Sequence, residues 1–331
     1  MTSRPPSGPD APPSEADHGH GQPDEAAAPT CVMSFNAADA SGAGGTAGDV
    51  ATLAAMGAHG LPVTTSVMVR DSAEIFDHHP IDADAVTEQA RTVLEDITVA
   101  GFKVGFLGSA EGVSAVAEVL SDYPDVPLVS YLPNLGWLDD DQAQPYHEAF
   151  RDLILPATEV LVGNHKTLTD FLLPDWDSER PPSARELAVA AGERGTKFVL
   201  ITGIMLPVKG VKGTGEQFID NVLASPQGAL TGEKFERFDT AFVGAGDTLS
   251  AALASLLAAG SELQAAVGEA LSFLDQSLDA GFRPGMGNVV PDRFFWALPP
   301  ADDEGGESGP EEPGGDFEDP KDKGGAPRRV H

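Results

Sequence analysis

Basic residues are scarce in this chain: 20 Lys and Arg stand against 52 Asp and Glu in 331 residues, a formal net charge of −32. A field of that sign repels phosphate backbones and anionic bilayers, so neither nucleic acid nor a membrane surface is expected as a partner. Cysteine is almost missing. Cys31 stands alone, which excludes an internal disulfide framework. No run of 18 apolar residues is present to cross a bilayer, and the N-terminal stretch has no apolar centre of a secretory signal, so a cytoplasmic protein is expected.

Large apolar residues are also almost missing from residues 1–28 and 300–331, which are rich in Pro, Gly, Ser, Asp and Glu. Such segments bury too little surface to offset the entropy of ordering them, so two disordered acidic tails are expected around one folded domain at 29–299. Residues 1–30 carry one Arg and five acids (net −4), and residues 300–331 four basic and ten acidic residues (net −6), leaving −22 on the rest. Self-repulsion of that size is screened by salt, which points to a saline interior as its setting.

What is present is a glycine turn feeding a helix. Phe242-Val243-Gly244-Ala245-Gly246-Asp247 leads into an Ala/Leu segment that continues to Ala259 and stops at Gly260. Strong helix formers closed by a C-terminal Gly predict a helix from about Gly246. Glycines there admit a ligand close to the backbone, and the free N–H groups with the helix dipole suit an anion. Asp247 fits that setting as a general base, accepting the proton of a hydroxyl that attacks a phosphoryl group. The plain alternative is an Asp that only caps the helix.

The rest of the chain alternates strands and helices. Strands are expected at 30–35, 61–69, 101–107, 127–132, 159–162 and 197–202. Helices are expected at 46–56, 82–97, 111–120, 147–153, 184–193 and 262–279, the last packed beside the helix after Asp247. That alternation implies an α/β fold, a mostly parallel sheet covered on both faces, with ligands at the carboxyl ends of its strands. Asp39, Arg70, Phe106, Ser130, Asn164 and Thr202 fall at such ends. Residues 208–238 read as extended, with hairpin turns at Lys212–Gly215 and Thr231-Gly232. Gly42, Gly44 and Gly45 do not make the G-x-G-x-x-G of a dinucleotide site. His78-His79 and Asp139–Asp141 are not expected to be metal ligands, since adjacent histidines rarely converge on one ion and an Asp triplet near Gly136 and Trp137 reads as a solvated loop.

Asp239-Thr240 followed by Gly244-Ala245-Gly246-Asp247 resembles the signature of the ribokinase-like kinases. Asp39-Ala40-Ser41-Gly42-Ala43-Gly44-Gly45, then Met56-Gly57-Ala58-His59-Gly60 and Lys103-Val104-Gly105-Phe106-Leu107, is similar to the hydroxymethylpyrimidine/phosphomethylpyrimidine kinases of thiamin synthesis. The likeness spans roughly residues 30–297. It implies a three-layer α/β/α ribokinase-like fold and phosphorylation of the hydroxymethyl group of 4-amino-5-hydroxymethyl-2-methylpyrimidine, and of its monophosphate, with ATP and Mg2+. By the same likeness Asp247 is the catalytic base and Gly244, Ala245 and Gly246 the anion hole. Asp39, Gly42, Asp49, Arg70 and Phe106 would meet the heteroaromatic alcohol, and Asn164, Thr202 and Gly203 the nucleotide. A homodimer is compatible with the sequence and not specified by it.

Several positions depart from that pattern. Arg70 replaces a pyrimidine-contacting Gln, so it either faces the pocket or turns outward to Asp71 or Asp77. Phe106 replaces Met, Ser130 an Asp, Thr202-Gly203-Ile204 a Lys-Gly-Gly, and Thr167 a Glu that helps hold the magnesium shell, which leaves the metal ligands unassigned. Asp247 stands where the pyrimidine kinases usually carry Cys, as sugar and pyridoxal kinases do. A pyridoxal or pyridoxine kinase, and a diverged pyrimidine-binding paralogue with weak or no turnover, are therefore the alternatives.

Overall fold

The computed structural model describes residues 28–205 and 218–297. The chain divides into a compact unit ending at Phe295 and a second from Trp296 onward. The expected tails lie outside the described residues except at residue 28, and so does the turn expected at Lys212–Gly215.

The compact unit is built on one nine-stranded sheet. Its strands are β1 (Cys31–Asp39), β2 (His59–Arg70), β3 (Ile75–Pro80), β4 (Gly101–Val104), β5 (Leu128–Tyr131), β6 (Val160–Asn164), β7 (Phe198–Met205), β8 (Phe218–Ser225) and β9 (Gly228–Glu236). Their order is β3-β2-β1-β4-β5-β6-β7-β8-β9. The six strands from β2 to β7 in that order run parallel, while β3, β8 and β9 are antiparallel. The chain leaves β1 for β2 on one side and returns to β4 on the other. The carboxyl ends of β1 and β4 thus flank a topological switch point, where open α/β sheets bind ligands.

Among the described residues there are eight α-helices, the first six between strands and the last two after β9: α1 (Gly45–Ala55), α2 (Ala83–Leu94), α3 (Ala110–Ser121), α4 (Asp140–Ala149), α5 (His165–Leu172), α6 (Ala184–Gly192), α7 (Ala245–Ala258) and α8 (Leu263–Asp279). Local chemistry sets their starts. Asp82, Ser109, Asn164 and Glu262 each accept N-terminal N–H groups, and Ser183 with Glu186 makes a capping box before α6. Helices α2 to α6 share one buried cluster with Met33, Phe35, Phe102, Leu128 and Leu161. Helices α1, α7 and α8 share another with Val32, Val129, Val160 and Leu200. Alternate strand residues therefore face opposite layers, the period of two that a fully covered sheet requires. The three-layer α/β/α architecture and the packing of α8 on α7 are as expected.

Four local readings need correction. β3 is an edge strand whose polar Asp77-His78-His79-Pro80 carries no apolar alternation, and proline at an edge costs no ladder bond. α5 opens directly at the end of β6, capped by Asn164, where only a strand end was expected. Asp139–Asp141 is not a loop: Asp139 takes the N-cap position without a side-chain cap bond, and Asp140 and Asp141 open α4, placing carboxylates at the positive end of the helix. Pro145 lies inside that helix, which continues into a π-helical turn at Phe150–Ile154. The β8–β9 turn falls at Pro226-Gln227, because Thr231-Gly232 pairs with Leu223 and Val222 within β9.

Candidate active site

The site begins as a polar strip on the sheet face that α1 and α7 cover. Val32, Ser34 and Asn36 share that face of β1, and Lys103 takes it on β4 between the oppositely directed Phe102 and Val104. Helix α1 brings Asp49 onto the strip and α7 brings Asp247. Lys103 is fully buried, with Nζ 2.7 Å from Asp247 Oδ1 and 2.8 Å from Asp49 Oδ1; its hydrogen bond to Asp49 runs to Oδ2 at 2.9 Å. Ser34 and Asn36 also donate to Asp49 Oδ2.

Asp247 is held from several sides. Its Oδ1 accepts from Lys103 Nζ and from Asn36 Nδ2 at 2.8 Å, and its Oδ2 accepts from the Gly45 N–H at 3.1 Å. A carboxylate offers about four acceptor positions; these bonds fill three, leaving one on Oδ2. Burial pushes the Asp247 carboxyl up, but the Lys103 charge, with hydrogen bonds from Lys103, Gly45 and Asn36, outweighs it and holds the group below the usual carboxylate range. Burial raises Asp49, and the Asp247 charge adds to it against Lys103. Lys103 stays cationic despite burial because Asp247 and Asp49 flank it. The deeper carboxylate thus anchors the ammonium and the outer one stays ionised.

Two glycine loops meet beside Asp247. Gly244, the N-cap of α7, has φ +86°, and a Cβ there would strike the Ala43 carbonyl. A Cβ on Gly44 would stand 2.5 Å from Asp247 Oδ2. Gly44, Gly45, Gly244, Ala245 and Gly246 line one cavity of about 480 Å3, within the usual size of a small-molecule site. The opening N–H groups of α7 have no carbonyl partner inside the helix, so this wall suits an anion. Buried Arg293 ties the two loops together, donating to Thr248 Oγ1 and to the Gly42 and Ala43 carbonyls. Burial lowers its affinity for a proton, and the neighbouring Asp247 and Asp49 charges oppose that.

One half of the cavity is a slot for a flat ring. Phe106 meets the Trp137 ring edge-on at 5.4 Å, with Met68, Ile75 and Leu135 alongside. Asp39 and Arg70 stand at its polar end. Asp39 accepts from Ser41 and the Gly44 N–H, shaping the β1–α1 loop. Arg70 faces the cavity, 3.7 Å from Asp39, and does not turn outward. The other half is walled by Asn164, Thr202 and Gly203 with the apolar Ile219, Leu274 and Leu278. Gly203 has φ +72°, and a Cβ there would press on the Asn164 amide at 2.6 Å.

Asp247, Gly244, Ala245, Gly246, Asp39, Arg70, Phe106, Asn164, Thr202 and Gly203 therefore converge on one cavity. Gly42 and Asp49 do not line it: Gly42 turns its carbonyl to Arg293, and Asp49 lies beneath, spent on Lys103. Nor does Ser130. Its hydroxyl pairs with Thr158 on the opposite face of β5, and Tyr131, one residue on, takes the cavity wall instead. Asn36, Lys103, Tyr131 and Arg293 are site residues that sequence reasoning did not select. The signals for them are the polarity of Asn36 and Lys103 inside otherwise apolar strands and the place of Lys103 in the Lys103–Leu107 motif. His78 is packed edge-on against Phe106 and Trp137. Among the described residues no group of three or more His, Cys, Asp or Glu could hold a metal ion, and no helix is long and apolar enough to cross a membrane.

The model of the phosphomethylpyrimidine kinase family matches residues 39–292. The hydroxymethylpyrimidine/phosphomethylpyrimidine kinase of Streptomyces coelicolor is 29% identical over 271 residues, 82% of this chain and 96% of that one. In fold, the chain resembles pyridoxal kinase of Bacillus subtilis, solved with ADP (TM-score 0.69, 22% identity, 82% of this chain and 99% of that one). It likewise resembles phosphomethylpyrimidine kinase of Clostridium difficile (TM-score 0.58, 21% identity, 74% and 98%). With a family match across most of its length and a glycine-walled carboxylate at the switch point of the sheet, the chain belongs to the phosphomethylpyrimidine kinase family of alcohol-directed phosphotransferases.

Proposed function

We propose that this protein transfers the γ-phosphoryl group of ATP to the hydroxymethyl group of 4-amino-5-hydroxymethyl-2-methylpyrimidine, and to the corresponding monophosphate, in thiamin synthesis in the cytoplasm. The observation that carries the reading is Asp247 with one open acceptor position beside the glycine wall. The substrate hydroxyl donates to that position, gives up its proton to Asp247 and attacks the γ-phosphorus as ADP leaves. The opening N–H groups of α7 face the phosphoryl oxygens as charge builds on them. Lys103 keeps Asp247 ionised and aimed. Phe106 and Trp137 hold the ring, and the apolar half takes the nucleotide base near Asn164, Thr202 and Gly203.

Magnesium would enter with the nucleotide. The described residues do not build a carboxylate cage for it, and Thr167 offers only a hydroxyl, so phosphate oxygens and water would supply most of its shell. Its chemistry there is to screen charge on the phosphates. A second reading, a pyridoxal alcohol as acceptor, is favoured by Asp247 itself, the residue the pyridoxal kinases share. A coupled ADP-release assay with the pyrimidine alcohol, its monophosphate, pyridoxal and a sugar panel, at low and high KCl, separates them. Turnover confined to the pyrimidines supports the proposal, and turnover of pyridoxal or a sugar alone rejects it.

A further inference from the structure

Arg70 is the single cationic side chain among the described residues that line the cavity, whose acidic members are Asp39 and Asp247. It is nine-tenths buried, with 10% of its side chain exposed. Nε donates to the Asp71 carbonyl at 3.0 Å, which fixes the direction of the fork. Nη1 is 3.7 Å from Asp39 Oδ2, beyond hydrogen-bond reach, and Asp39 is already engaged by Ser41 and the Gly44 N–H. Most of the guanidinium's donors therefore lack an acceptor among the described residues, inside a largely apolar cavity. A planar fork with spare donors matches a phosphate better than any neutral ring edge.

We propose that Arg70 makes this site prefer an acceptor that already carries a phosphate, by binding that phosphate next to Asp39 and Asp247. The inference rests on the kinase reading above and assigns it a specificity residue. The chemistry distinguishes the two acceptors. An alcohol must lose its proton as the new O–P bond forms. A monophosphate is mostly dianionic at neutral pH, its second pKa being about 6. One of its oxygens attacks the γ-phosphorus directly, the bond from that phosphorus to the β,γ-bridging oxygen breaks, ADP leaves, and a diphosphate ester is formed with no proton to remove. A dianion arriving beside two carboxylates is repelled unless a cation stands with them. Arg70 supplies that cation and leaves the neutral alcohol without a comparable gain.

The test measures kcat/KM for the alcohol and for the monophosphate, with full-length wild type, Arg70→Gln and Arg70→Lys. Each acceptor is also titrated calorimetrically without ATP. The monophosphate-to-alcohol ratio should fall about tenfold or more in Arg70→Gln, the loss of a charge-assisted pair. It should recover in part in Arg70→Lys, which keeps the charge but not the fork. Replacing Asp247 by Asn should cost the monophosphate reaction less than the alcohol reaction. An unchanged ratio in Arg70→Gln overturns the proposal and leaves Arg70 as a brace for the Asp39 loop. If wild type turns over neither acceptor, the kinase reading fails separately and calorimetry decides. Tighter wild-type binding of the monophosphate, lost in Arg70→Gln, supports the anion site; equal affinities, or no binding of either acceptor, overturn it.

Discussion

Replacing Lys103 by Met keeps the side chain's reach and apolar stem and removes only the ammonium that Asp49 and Asp247 share. Both carboxylates then stay where they are, Asp49 fully buried and Asp247 with 15% of its side chain exposed, facing each other without a cation. Removing one partner from a buried ion pair costs about 3–5 kcal/mol, and two stranded carboxylates place the loss toward the upper end. Protonation relieves part of it, and this fixes the sign of the pH dependence. Without Lys103, burial raises the folded-state carboxyl pKa values above the unfolded value of about 3.9. The folded variant then binds more protons than the unfolded chain, so its stability falls as pH rises through that interval. Urea melts of wild type and Lys103→Met should thus show a smaller loss near pH 5 than near pH 8, roughly, and the alkaline side should carry the full penalty. In the rate profile the variant's acidic limb, which follows ionisation of the base, should move to higher pH, because its Asp247 is no longer held below the usual range. A loss under about 1 kcal/mol, or one that does not change with pH, would refute the account of Lys103 as the cation that keeps the base ionised.

Two further outcomes follow from local geometry and from the charge. Gly44→Ala places a methyl 2.5 Å from Asp247 Oδ2, so the carboxylate must shift and kcat should fall about 10²-fold while ATP affinity changes little; wild-type kcat in this variant argues against the close loop contact. The acidic surface should make the fold salt-dependent, with midpoints rising from low to molar KCl as the Debye length shrinks to about 3 Å, and a flat or falling series rejects that reading.

The features legible in the sequence are those carried by short stretches. The glycine turn into α7 and the strand–helix alternation are local signals, and together they imply the layers and the ligand side of the sheet. The hidden features are those that long-range register creates. Lys103 meets Asp49 and Asp247 across 54 and 144 residues, and Arg293 reaches Ala43 across 250. Nothing near either residue announces its partners. Ser130 and Tyr131 show how sharp this limit is: strand residues alternate faces, so a one-residue difference decides which side chain meets the cavity. Arg70 is open to either direction in the sequence; in the structure it lines the cavity, with 10% of its side chain exposed and Nη1 3.7 Å from Asp39. β3 and α5 were missed because polar edge residues and a strand end running directly into a helix leave little periodicity to read.

The most direct test of Asp247 as the base is the single-turnover rate of Asp247→Asn with the pyrimidine alcohol at saturating ATP, beside the nucleotide affinity of the same variant. Asparagine preserves the shape, and its carbonyl can still accept one bond from Asn36 or Lys103, but it cannot take the hydroxyl proton. The rate should fall on the order of 10²–10⁴-fold with ATP affinity changed by less than about threefold. A near-normal rate would remove Asp247 from the chemistry and leave it as the structural partner of Lys103, Asn36 and the Gly45 N–H.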